Sequence, residues 1–91
     1  MIKIYVIVTY DVEEKRVNKV RKILKKYLIW VQNSVFEGEI TEGKLLKCKS
    51  ELFRIIQKDT DSIYFYEMPY TNSIEKKILG IEKSYDENII I

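Results

Sequence analysis

The chain has no histidine at all. It therefore offers no imidazole to act as a general base, to complete a Ser-His-Asp triad or to ligate zinc. Its single cysteine, Cys48, excludes an internal disulfide and a CxxC site. Cys48 reads either as a nucleophile, which needs an activating neighbour, or as a small apolar residue on a helix face. With no histidine to activate it, the second is the expectation. Glycine occurs three times and proline once, and the chain shows no repeat, low-complexity tract or linker. The longest apolar stretches, such as Ile4–Val8 and Ile89–Ile91, fall far short of the roughly 18 residues a membrane-spanning helix requires. Lys3 and Asp11 bracket the first apolar run too tightly for a signal-peptide core, so the expected location is cytoplasmic. Carboxylates, hydroxyls, lysines and a borrowed metal ion remain as chemical resources.

Apolar residues make up 46% of the 91 positions, too many for a disordered chain. That length allows one domain with a modest core. We read residues 1–91 as a single domain, with a core over 1–68 and a tail over 74–91. The net charge of +2 hides an asymmetry. Residues 1–35 carry eight Lys and Arg against three acids, whereas 36–91 carry eight against eleven. A basic segment in a nearly neutral chain points to a local anionic partner.

Ile2–Tyr10 is dense in β-branched and aromatic residues on both alternating faces, the pattern of a central, doubly covered strand. Alternation puts Ile4, Val6, Val8 and Tyr10 on one face and Tyr5, Ile7, Thr9 and Asp11 on the other. Val17, Val20, Leu24, Tyr27 and Leu28 recur at helical spacing, predicting a helix over Glu13–Tyr27. Its outer face would carry Lys15, Lys19, Lys22 and Lys26, either as a solvated face or as a basic stripe. Ile29–Ile40 reads as strand material interrupted at Asn33–Ser34 and again at Gly38. A second helix is expected over Glu42–Gln57, with Thr41 as N-cap and Leu45, Cys48, Leu52, Phe53 and Ile56 buried. Asp59–Ser62 reads as a turn and Ile63–Met68 as a strand.

The order β-α-β-β-α-β predicts an α+β, ferredoxin-like fold with both helices on one face of the sheet. The open face would be rich in Tyr, Phe and Ile, and a second copy is its simplest cover, giving a symmetric homodimer. Lys77–Ile81 and Asn88–Ile91 carry strand signals of their own. They are expected to dock on a sheet edge, the partner's being one candidate.

Three segments carry a resemblance: Tyr10–Asp11 followed by Lys15–Arg16–Val17, Val31–Gln32–Asn33–Ser34–Val35–Phe36–Glu37, and Asp61–Ser62–Ile63–Tyr64–Phe65–Tyr66. In this order and spacing they resemble the small CRISPR-associated adaptation proteins, over roughly residues 2–68. That family is described as metal-dependent endonucleases and as the dimeric scaffold of the CRISPR integrase, acting in antiviral defence. Many members carry a glycine before the second strand, where this chain has Leu28–Ile29–Trp30. Several carry more arginines where this one has lysines, which hold phosphate as point charges.

From its position alone, Asp11 is either a helix cap or a functional carboxylate. The resemblance implies the second: Asp11 as the catalytic metal ligand, with magnesium as cofactor. A two-fold dimer would bring two Asp11 carboxylates together to share a cation. Lys15, Arg16, Lys19, Lys22 and Lys26 would bind nucleic acid, duplex DNA or RNA, through its phosphates. Tyr10 and Phe36 read as core residues, and Ser34 as satisfying a strand break or orienting a water. Three functions follow: a magnesium-dependent endonuclease, a non-catalytic scaffold for the integrase, and a toxin-type ribonuclease of related fold.

Overall fold

Alternation along the first strand sets the architecture. Ile4, Val6, Val8 and Tyr10 are buried, while Tyr5, Ile7 and Thr9 are half-buried and Lys3 and Asp11 exposed. The computed structural model describes residues 2–69 and 77–81. Its elements run β1 (Lys3–Asp11), α1 (Glu14–Lys25), β2 (Ile29–Gln32), β3 (Val35–Thr41), α2 (Glu42–Ile55) and β4 (Ser62–Met68). The strands form one sheet in the order β2-β3-β1-β4, with antiparallel ladders throughout. This is the expected ferredoxin-like arrangement, and β1 is central because it pairs on both edges.

Both helices cover the face that carries Val6 and Val8. Val20 and Leu24 of α1 and Leu45, Cys48 and Leu52 of α2 join Phe36 and Ile40 of β3 in one core. Phe36 lies at its middle, fully buried, with Tyr10 and Trp30 against it at ring-centroid distances of 6.1 and 6.2 Å. Apolar burial of this kind is the main favourable term in folding.

Several details differ from expectation, among them the end of α2, which falls at Ile55 rather than Gln57. The first helix ends at Lys25 because the next amides, Lys26 and Tyr27, turn back to Ile23 and Leu24 in a tighter three-residue pattern. Gly38 does not interrupt β3, which runs through it. Its missing side chain instead lets Leu28 close over the strand, with Leu28 Cδ2 at 3.4 Å from where a Cβ would stand. The irregularity falls in β2, a bulge between Trp30 and Gln32. In α2, Phe53 is 58% exposed rather than buried. One residue past Leu52, it is rotated about 100° from the buried stripe, and Lys58 Nζ lies 4.4 Å from its ring centroid.

Thr41 caps α2 as expected, its Oγ1 accepting from the Lys44 amide at 3.2 Å. Lys77–Ile81 forms bends rather than the expected strand. Gly80 sits at φ +102°, where a strand cannot continue, and Leu79 is fully exposed. The Asn88–Ile91 strand falls outside the described residues. Among the described residues, no helix is long and apolar enough to cross a membrane.

Candidate functional site

Register defines the open face of the sheet. Tyr5, Ile7, Thr9 and Asp11 lie directly opposite Met68, Tyr66, Tyr64 and Ser62 of β4, so all eight share one face. On the other side of β1, Thr9, Ile7 and Tyr5 face Val35, Glu37 and Glu39. The face is apolar and aromatic at its centre and acidic towards β3. Tyr64 and Tyr66 are 58% and 53% exposed, and their rings stack at 6.4 Å. Tyr5 donates a hydrogen bond to the Glu37 carboxylate. Burial, together with Glu37, pushes the Tyr5 hydroxyl above its ordinary pKa, so it remains a donor.

Asp11 ends β1 at the rim of this face, exposed. It does not cap α1: Glu13 holds the N-cap position, with no side-chain cap bond. The Asp11 carboxylate makes no hydrogen bond or ion pair to any described residue. Its backbone, by contrast, is well fixed. The preceding Tyr10 donates its amide to Ser34 O at 3.1 Å and its hydroxyl to Asn33 O at 3.2 Å. Asn33 O also accepts from Trp30 Nε1 at 2.8 Å. Ser34 thus serves the strand break through its carbonyl, and the turn at Asn33 (φ +33°) is tied to the residue before Asp11.

Lys15, Lys19 and Lys22 are exposed along α1. Lys26 is exposed but engaged, pairing with Glu51, which also accepts from the Tyr27 hydroxyl. The Lys26 and Tyr27 bonds hold the Glu51 carboxyl below the usual range. The same carboxylate raises the Tyr27 hydroxyl to about 12.

Arg16 departs from the expected stripe. It is buried, and its guanidinium makes a bidentate pair with Asp61: Nε to Oδ2 at 2.6 Å and Nη2 to Oδ1 at 3.0 Å. It also reaches Thr60 Oγ1 at 3.2 Å and Glu13 Oε1 at 3.1 Å. With Nε and Nη2 engaged inside the protein and the residue buried, the Nε–Nη2 edge of Arg16 is turned to Asp61 rather than to solvent, unlike the exposed lysines beside it.

The sequence reading gave no role to Asp61, whose side chain is fully buried. Arg21 and Lys25 were also missed as a pair; they flank the Trp30 ring at 5.0 and 5.1 Å. Their i, i+4 spacing was a usable signal, since it places both on one helix face. Nothing local in the sequence paired Arg16 with a residue 45 positions away.

Among the described residues, no three His, Cys, Asp or Glu side chains converge to hold a metal. Asp11 is the candidate donor that one chain presents at the rim of the open face. A single hard oxygen donor suits magnesium, which is held by one or two carboxylates with waters and phosphates completing its shell. The donor chemistry fits, and it leaves room for a second copy's carboxylate.

The family described as CRISPR associated protein Cas2 matches residues 4–76. A relative from Thermodesulfovibrio yellowstonii, named CRISPR-associated endoribonuclease Cas2 3, is 65% identical over 86 residues, covering 94% of this chain and 98% of that one. A crystal structure of Cas2 superposes with a TM-score of 0.79 at 46% identity, covering 97% of this chain and 99% of the other. Streptococcus pyogenes Cas2, crystallised at pH 6.5, gives 0.68 at 38% identity over 84% of this chain and 99% of that one. Fold, family match and near-complete coverage agree, and this chain belongs to the CRISPR-associated Cas2 family.

Proposed function

We propose that the chain acts in CRISPR adaptation as a homodimer that cleaves RNA phosphodiesters with magnesium held at Asp11. The observation that carries this reading is the exposed Asp11 carboxylate, without a partner among the described residues, on a laddered strand end at the rim of an uncovered sheet face. The name of the relative from Thermodesulfovibrio yellowstonii supports RNA as the substrate class.

Dimerisation follows from the open face. Tyr64, Tyr66 and Ile29, each more than half exposed, present an apolar and aromatic surface that a second copy would remove from water. Pairing these faces about a two-fold axis would set the two Asp11 rims towards each other. Their mutual repulsion would then favour capture of a cation.

The chain's own groups have separable tasks. Lys15, Lys19 and Lys22 would meet the phosphate backbone as point charges and give affinity without sequence readout. Lys26, tied to Glu51, would contribute less. The Asp11 carboxylate would hold the magnesium ion, with the Ser62 hydroxyl opposite it available to a phosphate oxygen or a water. When bound, magnesium supplies Lewis-acid polarisation of the phosphodiester and a water nucleophile at neutral pH. No imidazole takes part, since the chain has none.

A second reading is a non-catalytic scaffold that holds duplex DNA for the CRISPR integrase. It is favoured by the absence, among the described residues, of three or more converging acidic or cysteine side chains that could hold a metal within one chain. Incubating the purified protein with single-stranded RNA, single-stranded DNA and duplex DNA, in magnesium and in EDTA, separates the two. The nuclease reading expects RNA cleavage in magnesium and none in EDTA. Duplex binding with no cleavage of any substrate would support the scaffold.

A further inference from the structure

Among the described residues the Asp11 carboxylate has no hydrogen-bond or ion-pair partner, so its placement there depends on its backbone. One end of that backbone is fixed by the ladder to Ser62. The other runs through Val12 and Glu13 into α1. The Glu13 amide donates to Asp61 Oδ1 at 3.0 Å. Asp61 is the residue immediately before Ser62, and its Oδ2 accepts from the Gln57 amide at 2.9 Å. Arg16, from the first turn of α1, closes the arrangement with its bidentate fork. One buried carboxylate thus gathers the chain leaving Asp11, the loop entering Ser62 and the end of the α2 region. None of the groups bonded to Asp61 makes a hydrogen bond or ion pair with the Asp11 carboxylate.

We propose that the Arg16–Asp61 pair is a positioning device for the candidate site, setting the β1–α1 turn and thereby the aim of the Asp11 carboxylate. The proposal rests on the reading of Asp11 as the reactive carboxylate. Five hydrogen bonds converge on the Asp61 carboxylate, from Glu13, Arg16, Gln57 and the adjacent Thr60, and they restrict the freedom that a two-residue connection after Asp11 would otherwise have. Fixing such a turn matters because sub-ångström placement governs reactive geometry. Outer-shell partners of metal-binding carboxylates and histidines commonly change affinity or activity by about 10- to 100-fold. Arg16 therefore acts inside the protein, and its loss should be felt in turnover rather than in nucleic-acid affinity.

The test compares Arg16→Gln, Asp61→Asn and the double variant with wild type, using single-stranded RNA in magnesium. Asp11→Ala is carried in parallel. The expected result is a fall in kcat of about 10- to 100-fold in each single variant, with KM unchanged. The double variant should be no worse than the worse single, because both residues form one unit. Hydrogen exchange should rise in the segments 11–16 and 57–61 and remain at wild-type levels in β3. The salt dependence of RNA binding should not move.

A reduced salt slope in Arg16→Gln alone, with Asp61→Asn unaffected, would overturn the proposal and return Arg16 to phosphate binding. Wild-type turnover in both variants would also overturn it, provided Asp11→Ala is inactive. Turnover retained by Asp11→Ala would instead defeat the reading of Asp11 on which the proposal depends. Should the single variants fail to fold, Arg16→Met combined with Asp61→Leu replaces the buried pair by an apolar one of similar volume, a change buried pairs often tolerate. That folded protein should still show raised exchange at 11–16 and reduced kcat. Wild-type values for both would overturn the assignment.

Discussion

Asp11 and Ser62 stand directly opposite each other in the β1–β4 ladder, the last residue of one strand facing the first of the other. The pairing places a carboxylate and a hydroxyl side by side on the uncovered face of the sheet. Within two residues of each, the chain is held by the same buried group, Asp61. The proposed reactive rim thus lies beside a junction that one buried carboxylate ties together. That suits a site whose chemistry depends on placement rather than on a large pocket.

The core should tolerate truncation poorly. Phe36→Ala removes the ring against which Tyr10 and Trp30 pack. It should cost about 3–5 kcal/mol, a large part of the stability of a domain this small. Urea denaturation should show the midpoint falling with little change in slope.

Acid should destabilise the protein through Asp61. The Arg16 guanidinium, helped by the Gln57 and Glu13 amides, holds its carboxyl well below the usual carboxylate range. A depressed folded-state value contributes stability that is complete above the unfolded value of about 4 and is lost as pH falls below it. Thermal melts of wild type should therefore drop steeply below about pH 4. Asp61→Asn should start lower at neutral pH and show a shallower acid limb.

Cys48 should be inert in the folded protein. It is fully buried, and burial pushes its thiol up to about 11, so almost none is thiolate at neutral pH. Iodoacetamide at pH 7.5 should leave it unmodified under native conditions and alkylate it in urea. Rapid native alkylation would show that the α1–α2 interface opens readily.

Nucleic-acid binding should be electrostatic and unequal along α1. Gln substitutions at Lys15, Lys19 and Lys22 should each weaken binding to all sequences alike and lower the salt slope by about one where the lysine meets a phosphate. Lys26→Gln should affect binding less and thermal stability more, because Lys26 is already paired with Glu51 across the two helices.

What could be read in the sequence was whatever repeats or alternates. The period of two in β1 and the helical stripe around Val20 and Leu24 gave element order, sheet topology and the face on which Asp11 sits. Thr41 announced its helix through its own side chain. The errors arose where tertiary contacts decide. Arg16 looks like its lysine neighbours until Asp61 arrives from 45 positions further along the chain. Phe53 looks buried until the helix face is fixed to the sheet, which leaves it outside. Gly38 looked like a strand break, yet it is the place where Leu28 needs room. The family resemblance was legible for a related reason. Its motifs lie at the junctions Tyr10–Asp11, Gln32–Glu37 and Asp61–Tyr66, where backbone geometry constrains residue choice.

The most direct test is magnesium-dependent RNA cleavage by Asp11→Ala and Asp11→Asn beside wild type. Each protein is first checked for an unchanged melting temperature and for its dimeric state by sedimentation. The account predicts folded dimers that bind RNA with wild-type affinity and salt dependence, and cleavage reduced to background in both. Cleavage at the wild-type rate by either folded variant would contradict the account and place the reactive site elsewhere on the protein.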